Sequence, residues 1–132
     1  MIQRGDEVLE VFIEETTDRL DSIESGLLQL ENCGDCDPEV INSIFRDAHS
    51  VKAGSNLLKL TTVEDLAHKL ENVFEMIRKK QIAPSEVIIT ACLESVDKLR
   101  ELIENIENSD TISTRLHSHM LAVAVQKTLQ GD

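Results

Sequence analysis

The chain has 132 residues, enough for one domain with a buried core. Its 25 acidic residues against 13 basic ones leave a formal charge of −12, a surface that repels phosphate backbones, argues against nucleic-acid binding and suits a basic partner face. Hydrophobic residues make up 41% of it but aromatics only 2%, so the core must be aliphatic apart from Phe12, Phe45 and Phe74; that composition, with two prolines and five glycines, favours packed long helices over a β-sandwich.

Met1-Ile2-Gln3-Arg4-Gly5-Asp6 lacks the apolar region of a signal peptide. No apolar run approaches the roughly 20 residues that span a bilayer, so a cytoplasmic protein without membrane contact is expected. The first helix should open at Asp6 as N-cap and carry a stripe of Val8, Phe12, Thr16, Leu20, Ile23, Leu27 and Leu30, the three-and-four spacing of a bundle face. Asn32 to Cys36, with Gly34, should end it. Cys33 and Cys36 form a C-x-x-C, but in a turn between two helices rather than after a strand, and without the second pair that a structural zinc needs; the spacing reads as a turn that contains two cysteines.

Asp37-Pro38 predicts the start of a second helix, with Asp37 capping and Pro38 at the first helical position. Its stripe is Ile41, Ile44, Phe45, Ala48, Val51, Ser55 and Leu58. His49 lies about 100° around from Ala48, at the margin of that stripe. Thr61-Thr62-Val63-Glu64 has a capping-box pattern opening a third helix, whose stripe is Val63, Leu66, Ala67, Leu70, Val73, Phe74 and Ile77 and whose end carries Arg78-Lys79-Lys80. Ala83-Pro84-Ser85-Glu86 marks a fourth start, followed by Ile88 or Ile89, Cys92, Val96, Leu99, Ile103 and Ile106; Cys92 belongs to the core. Asn108-Ser109-Asp110 breaks the pattern. A fifth helix is predicted from about Thr111 to Leu129, with Ile112, Leu116, Met120 and Val123 on one side and Leu121 and Val125 on another.

Four amphipathic helices with short connections predict an all-α fold, an antiparallel up-and-down four-helix bundle with an additional C-terminal fifth helix. The chain reads as a single domain over 1–132, the bundle at about 6–108 and the appended helix at about 111–130. The isolated domain is expected to be monomeric. Such a bundle says nothing of function by itself.

Four polar side chains stand apart from the bundle pattern. His49 and Lys52 lie three residues apart, followed by small residues at Ala53 and Gly54; His68 and Glu71 have the same spacing one helix later. An imidazole is a nucleophile when one ring nitrogen keeps a free lone pair, and a carboxylate accepting from Nδ1–H would leave Nε2 free. Glu71 could be that holder, and Lys52 could neutralise the oxygens of an incoming phosphoryl group, whose transfer needs mainly positioning and charge stabilisation. Gly54 inside a helix costs about 1 kcal/mol relative to Ala and calls for a packing or docking reason. On spacing alone two alternatives stand beside this: a surface His–Glu pair, and a non-catalytic helical adaptor. A di-metal carboxylate site needs two Glu-x-x-His pairs, and only one pair occurs, in reverse order. His117 and His119 point about 200° apart and read as surface or partly packed side chains.

His49-Ser50-Val51-Lys52-Ala53-Gly54-Ser55 resembles the H-S-x-K-G-[GS]-[AS] motif of histidine phosphotransfer (HPt) domains, and the chain is similar to the N-terminal phosphotransfer domains of chemotaxis histidine kinases over about Glu7 to Ile106. Leu66-Ala67-His68-Lys69-Leu70-Glu71-Asn72-Val73 is similar to the family's second block, and Phe12-Ile13-Glu14-Glu15 with Leu20 to Leu30 fits its first helix. The resemblance implies that His49 takes a phosphoryl group from ATP bound to a separate kinase domain and gives it to a response-regulator aspartate. It further implies that Glu71 orients the imidazole, that Lys52 and His68 complete the polar network, and that partners dock over Ala53, Gly54 and Asn56. ATP and Mg²⁺ belong to the kinase domain; this chain has no glycine-rich nucleotide loop, no cofactor or metal of its own is expected, and no kinase activity in isolation. Ala53 departs from the family's glycine, and Asn56-Leu57-Leu58-Lys59-Leu60 departs from its Gly- and Phe-rich continuation, which leaves a stand-alone or hybrid-kinase relay protein as the alternative setting.

Overall fold

The computed structural model describes residues 5–31, 33 and 36–131. The Met1 to Arg4 stretch, Asn32 and Gly34, used above for the N-terminus and the end of the first helix, lie outside them. Among the described residues five α-helices follow one another: α1 (Glu7–Glu31), α2 (Pro38–Leu57), α3 (Thr61–Arg78), α4 (Glu86–Glu104) and α5 (Arg115–Leu129), with a 3₁₀ segment, Ile106–Thr111, before the last. Helices α1 and α3 each pack against both α2 and α4, closing an antiparallel four-helix ring, and α5 lies across α3 and α4.

The aliphatic stripes meet inside that ring, as the helical period requires. In α3 every predicted stripe residue is buried, and in α4 both Ile88 and Ile89 are. In α1 the stripe begins one residue later than expected: Leu9 is fully buried and Val8 is 63% exposed. Asp6 caps this helix by accepting from the backbone N–H of Val8 (2.9 Å) and Leu9 (3.2 Å). Gly26 lets α1 and α2 approach, since a Cβ there would collide with the Cγ2 of buried Ile44. Between α1 and α4, Arg100 donates to Glu24 (2.6 Å) and Asp21 (2.9 Å).

Several connections differ from the sequence reading. The N-cap of α3 is Leu60, which has no side chain to cap with, so Thr61-Thr62-Val63-Glu64 is not a capping box. Asp110, from the 3₁₀ segment, instead accepts from Thr61 Oγ1 (3.3 Å), Thr62 Oγ1 (3.1 Å) and the Thr62 N–H (3.4 Å). The fifth helix starts at Arg115 rather than about Thr111, because residues 106–111 tighten into that 3₁₀ turn. It packs through Leu121 and Ala124, leaving Leu116 65% exposed, so its other predicted side faces the bundle. Cys33 and Cys36, read from the sequence as a turn that contains two cysteines, are joined as a disulfide. Cys92 is fully buried, which pushes its thiol up to about 12.

The turn from α2 to α3 bears on the site. Lys59 adopts φ 60°, the Leu60 N–H reaches back to the Ser55 carbonyl at 2.9 Å, and the Lys59 N–H reaches that of Asn56 at 3.1 Å, the Schellman pattern with lysine in the left-handed position. The turn is short and Leu60 is buried in it, so the register of α2 against α3 is fixed.

Candidate functional site

Because α2 and α3 run antiparallel from this tight turn, side chains at successive turns of α2 face α3 residues lying farther from the connection. Asn56 Nδ2 donates to Glu64 Oε2 at 2.8 Å. Lys52 Nζ donates to Glu71 Oε1 at 2.6 Å, and His49 Nδ1 lies 2.5 Å from Glu71 Oε2. Farther from the turn, the Arg78 guanidinium lies 4.6 Å from the centroid of the Phe45 ring, which stacks on His49 with centroids 6.5 Å apart and 23° between the planes.

Burial is graded across this row. The Glu71 side chain is 8% exposed, Lys52 26% and His49 58%. Burial by itself raises the Glu71 carboxyl, but the hydrogen bonds and charges of Lys52 and His49 outweigh it and hold the group below its ordinary value of 4.5. Near neutral pH Glu71 is therefore a carboxylate, and a carboxylate only accepts. The hydrogen in the His49–Glu71 contact must sit on Nδ1. In the neutral ring Nε2 then holds the free lone pair, on the exposed side of the imidazole.

Three of the four polar residues singled out by spacing thus come together: His49, Lys52 and Glu71. His68 does not join them; it is exposed, and no hydrogen bond or ion pair from the described residues reaches it. Three residues before Glu71, it lies about 60° around α3 and one turn toward the α2–α3 connection, so the rotation that buries Glu71 turns His68 outward. Ala53 and Asn56 are exposed beside the row. Gly54 is only partly open, because the Phe12 ring of α1 lies 3.1 Å from where its Cβ would be; the demand for a small residue there comes from packing within the domain. Spacing did not single out Phe45, Arg78 or Glu75. Arg78 donates to both oxygens of Glu75, at 2.7 and 2.8 Å. The i, i+4 step from Phe45 to His49 was the available signal, and it read as core stripe.

The His117 Nδ1 atom is buried without a hydrogen-bond partner among the described residues, whereas His119 is exposed. Among the described residues no three His, Cys, Asp or Glu side chains gather in a way that could hold a metal ion, and no helix is long and apolar enough to cross a membrane.

Fold and site together define a helical bundle that presents one exposed, carboxylate-oriented histidine from the middle of a helix. The chain belongs to the Hpt domain family, whose model matches residues 7–109. It is 36% identical over 96 residues to the chemotaxis protein CheA of Rhizobium meliloti, a match covering 73% of this chain and 12% of that protein. To the chemotaxis protein CheA of Klebsiella aerogenes it is 31% identical over 123 residues, covering 93% of this chain and 19% of that protein. The chain therefore spans only a small part of the length of these relatives. Its fold is similar to that of the phosphorylated P1 domain of CheA3 in complex with CheY6 from R. sphaeroides, with a TM-score of 0.80 and 23% identity over 93% of this chain and 98% of that one.

Proposed function

We propose that this chain is the phosphotransfer domain of a chemotaxis-type two-component pathway, with His49 as the residue that carries the phosphoryl group. The observation that bears most on this reading is the 2.5 Å contact between His49 Nδ1 and the buried Glu71 carboxylate, which leaves the lone pair on an exposed Nε2. In the first step that lone pair attacks the γ-phosphorus of ATP held by a separate kinase domain; the N–P bond forms and the P–O bond to ADP breaks. The ring becomes a phosphorylated cation, and Glu71 stabilises it from Nδ1–H. In the second step a carboxylate oxygen of a response-regulator aspartate attacks phosphorus, the N–P bond breaks, and the neutral imidazole returns.

Lys52 keeps Glu71 ionised and lies one helical turn from His49, from where it can meet the phosphoryl oxygens. To His68, exposed on α3 three residues before Glu71, we assign a contact with the phosphoryl group or a partner once one is bound. Ala53 and Asn56 form the open surface next to the ring, with Gly54 behind them. ATP and Mg²⁺ belong to the kinase domain and are substrate and metal there. The described structural neighbour is a phosphorylated domain bound to a CheY protein, which supports a receiver domain as the second partner here. A cytoplasmic location and a single domain over residues 1–132 are part of the same reading.

The test is phosphorylation by a kinase core of the CheA type with labelled ATP, followed by chase with a receiver domain. The label should be acid-labile and base-stable, should require the kinase, and should leave on addition of the receiver. Label that persists in His49→Gln would sink the assignment.

A further inference from the structure

We propose that Phe45 is a positioning residue for the His49 imidazole, held by the Arg78–Glu75 pair of α3. The proposal rests on the reading of His49 as the phosphoryl acceptor. His49 is too exposed, at 58%, for packing to fix its ring. The contact with Glu71 fixes where Nδ1 sits, but one hydrogen bond leaves the ring free to swing about it, and any swing moves Nε2 on the far side. A second restraint on the plane of the ring is needed.

Phe45 supplies it. It lies one helical turn before His49 on α2, and the two rings are within 23° of parallel at 6.5 Å, inside the range of offset aromatic stacking. Phe45 is only partly buried, so its own plane also needs a holder. The Arg78 guanidinium lies 4.6 Å from its centroid, a cation–π distance, and is itself fixed by two hydrogen bonds to Glu75. Glu71, Glu75 and Arg78 follow at i, i+4 and i+7, one face of α3. That face therefore grips the imidazole twice, directly at Nδ1 and, through Phe45, across the plane of the ring. In-line transfer requires the Nε2 lone pair to lie along the bond that breaks, and a displacement of about 1 Å can cost on the order of 100-fold in rate.

The restraint can be read without any kinase, from the ring nitrogens of His49 in a ¹⁵N-labelled chain, and with a kinase core from the phosphorylation rate at saturation. Phe45→Leu keeps an apolar side chain and removes the stack. It should lower the saturating rate by roughly 10-fold, leave KM for the kinase core within about twofold, and move the ring ¹⁵N shifts toward a mixture of tautomers with faster exchange of the Nδ1 proton. Phe45→Tyr should restore both readouts, and Arg78→Gln should shift both in the same direction by less. Wild-type ring shifts in Phe45→Leu overturn the proposal whatever the rate does, because a slower rate with an unmoved ring means a lost partner contact. A rate that Phe45→Tyr fails to rescue overturns it also. If the kinase core phosphorylates neither wild type nor variant, the acceptor assignment fails, and the ring shifts still decide whether Phe45 holds His49.

Discussion

Replacing Glu71 by glutamine separates orientation of the nucleophile from everything else the domain does. The glutamine side chain has nearly the same shape, but it carries no charge and offers one acceptor and one donor group where the carboxylate offered two acceptors. Glu71 faces two donors, His49 Nδ1–H at 2.5 Å and Lys52 Nζ at 2.6 Å. One of them must then meet an amide NH₂. A hydrogen bond to a charged group contributes about 1.5–3 kcal/mol. If the bond to the ring is lost just as the ring becomes cationic, that loss falls on the transition state, and it corresponds to a rate lower by roughly 10- to 150-fold. The side chain is only 8% exposed, so no partner can lean on it and KM for the kinase core should stay within about twofold. Stability should fall by about 1–3 kcal/mol, since the Lys52 ammonium is 26% exposed and can turn to water. A domain of ordinary stability, about 5–15 kcal/mol, stays folded through that loss. The assay is the initial rate of phosphorylation against concentration of the domain, with unfolding followed in parallel. A saturating rate within about twofold of wild type, or a rise confined to KM, would refute the orienting role.

Three further outcomes follow from the same structure. Gly26→Ala should destabilise the fold by up to about 2 kcal/mol: the collision with buried Ile44 costs about 1–3 kcal/mol and the helix propensity of alanine returns about 1. Urea unfolding checks it, and adding Ile44→Leu, which removes the offending Cγ2, should recover part of the loss. Asp110→Ala should cost about 1 kcal/mol, the ordinary worth of an N-cap, although Asp110 lies 48 residues along the chain from Thr62; an unchanged unfolding midpoint would deny it the capping role. The stability that wild type holds over Glu71→Gln should depend on pH with a definite sign. The folded carboxyl is held below 4.5, so the advantage is fully present above that value and is lost as pH falls through the lowered one. Denaturation of both proteins between about pH 3 and about pH 5 should show the advantage still largely present at 4.5, and a midpoint at or above 4.5 would contradict the geometry.

Helical period carried most of the fold, because an aliphatic stripe has one way to be buried. The stripes of α3 and α4 fell where their spacing put them. Reading failed where two residues competed for one position or where the deciding partner was remote. Val8 and Leu9 fit the start of the α1 stripe almost equally by spacing, and only the packing of the folded bundle chooses Leu9. The start of α3 looked capped by its own threonines, but the acceptor is Asp110 of a distant turn, which no local pattern contains. Two chain reversals use lysine at positive φ, Lys59 and Lys80, where a glycine would have announced the turn. At the site, the His49, Lys52 and Glu71 cluster was legible because an i, i+3 pair on one helix can converge on a single carboxylate of its antiparallel neighbour. The placement of His68 was not, since it depends on the rotation of α3 about its own axis. Phe45 stayed hidden because a phenylalanine one turn before a histidine has the same spacing as core packing.

The gradient of exposure from Glu71 to His49 bears on how one small domain could serve two unlike partners. Under the proposed function a kinase domain and a receiver domain would both have to reach the same nitrogen, and the surface open beside it is the exposed Ala53 and Asn56. Any group that controls the reactivity of the ring and is also touched by a partner would change the chemistry each time the partner changed. In this arrangement the controlling carboxylate is buried between α2 and α3, and the ring it holds projects outward. Substitutions should therefore divide. Changes at exposed Ala53 or Asn56 should act through KM and differ between the two partners, while changes at Glu71 should slow both transfers by similar factors and leave both KM values alone. A Glu71→Gln chain slowed toward the kinase core but unaffected toward the receiver would show that the receiver supplies its own means of orienting His49, and that the buried carboxylate serves the first transfer only.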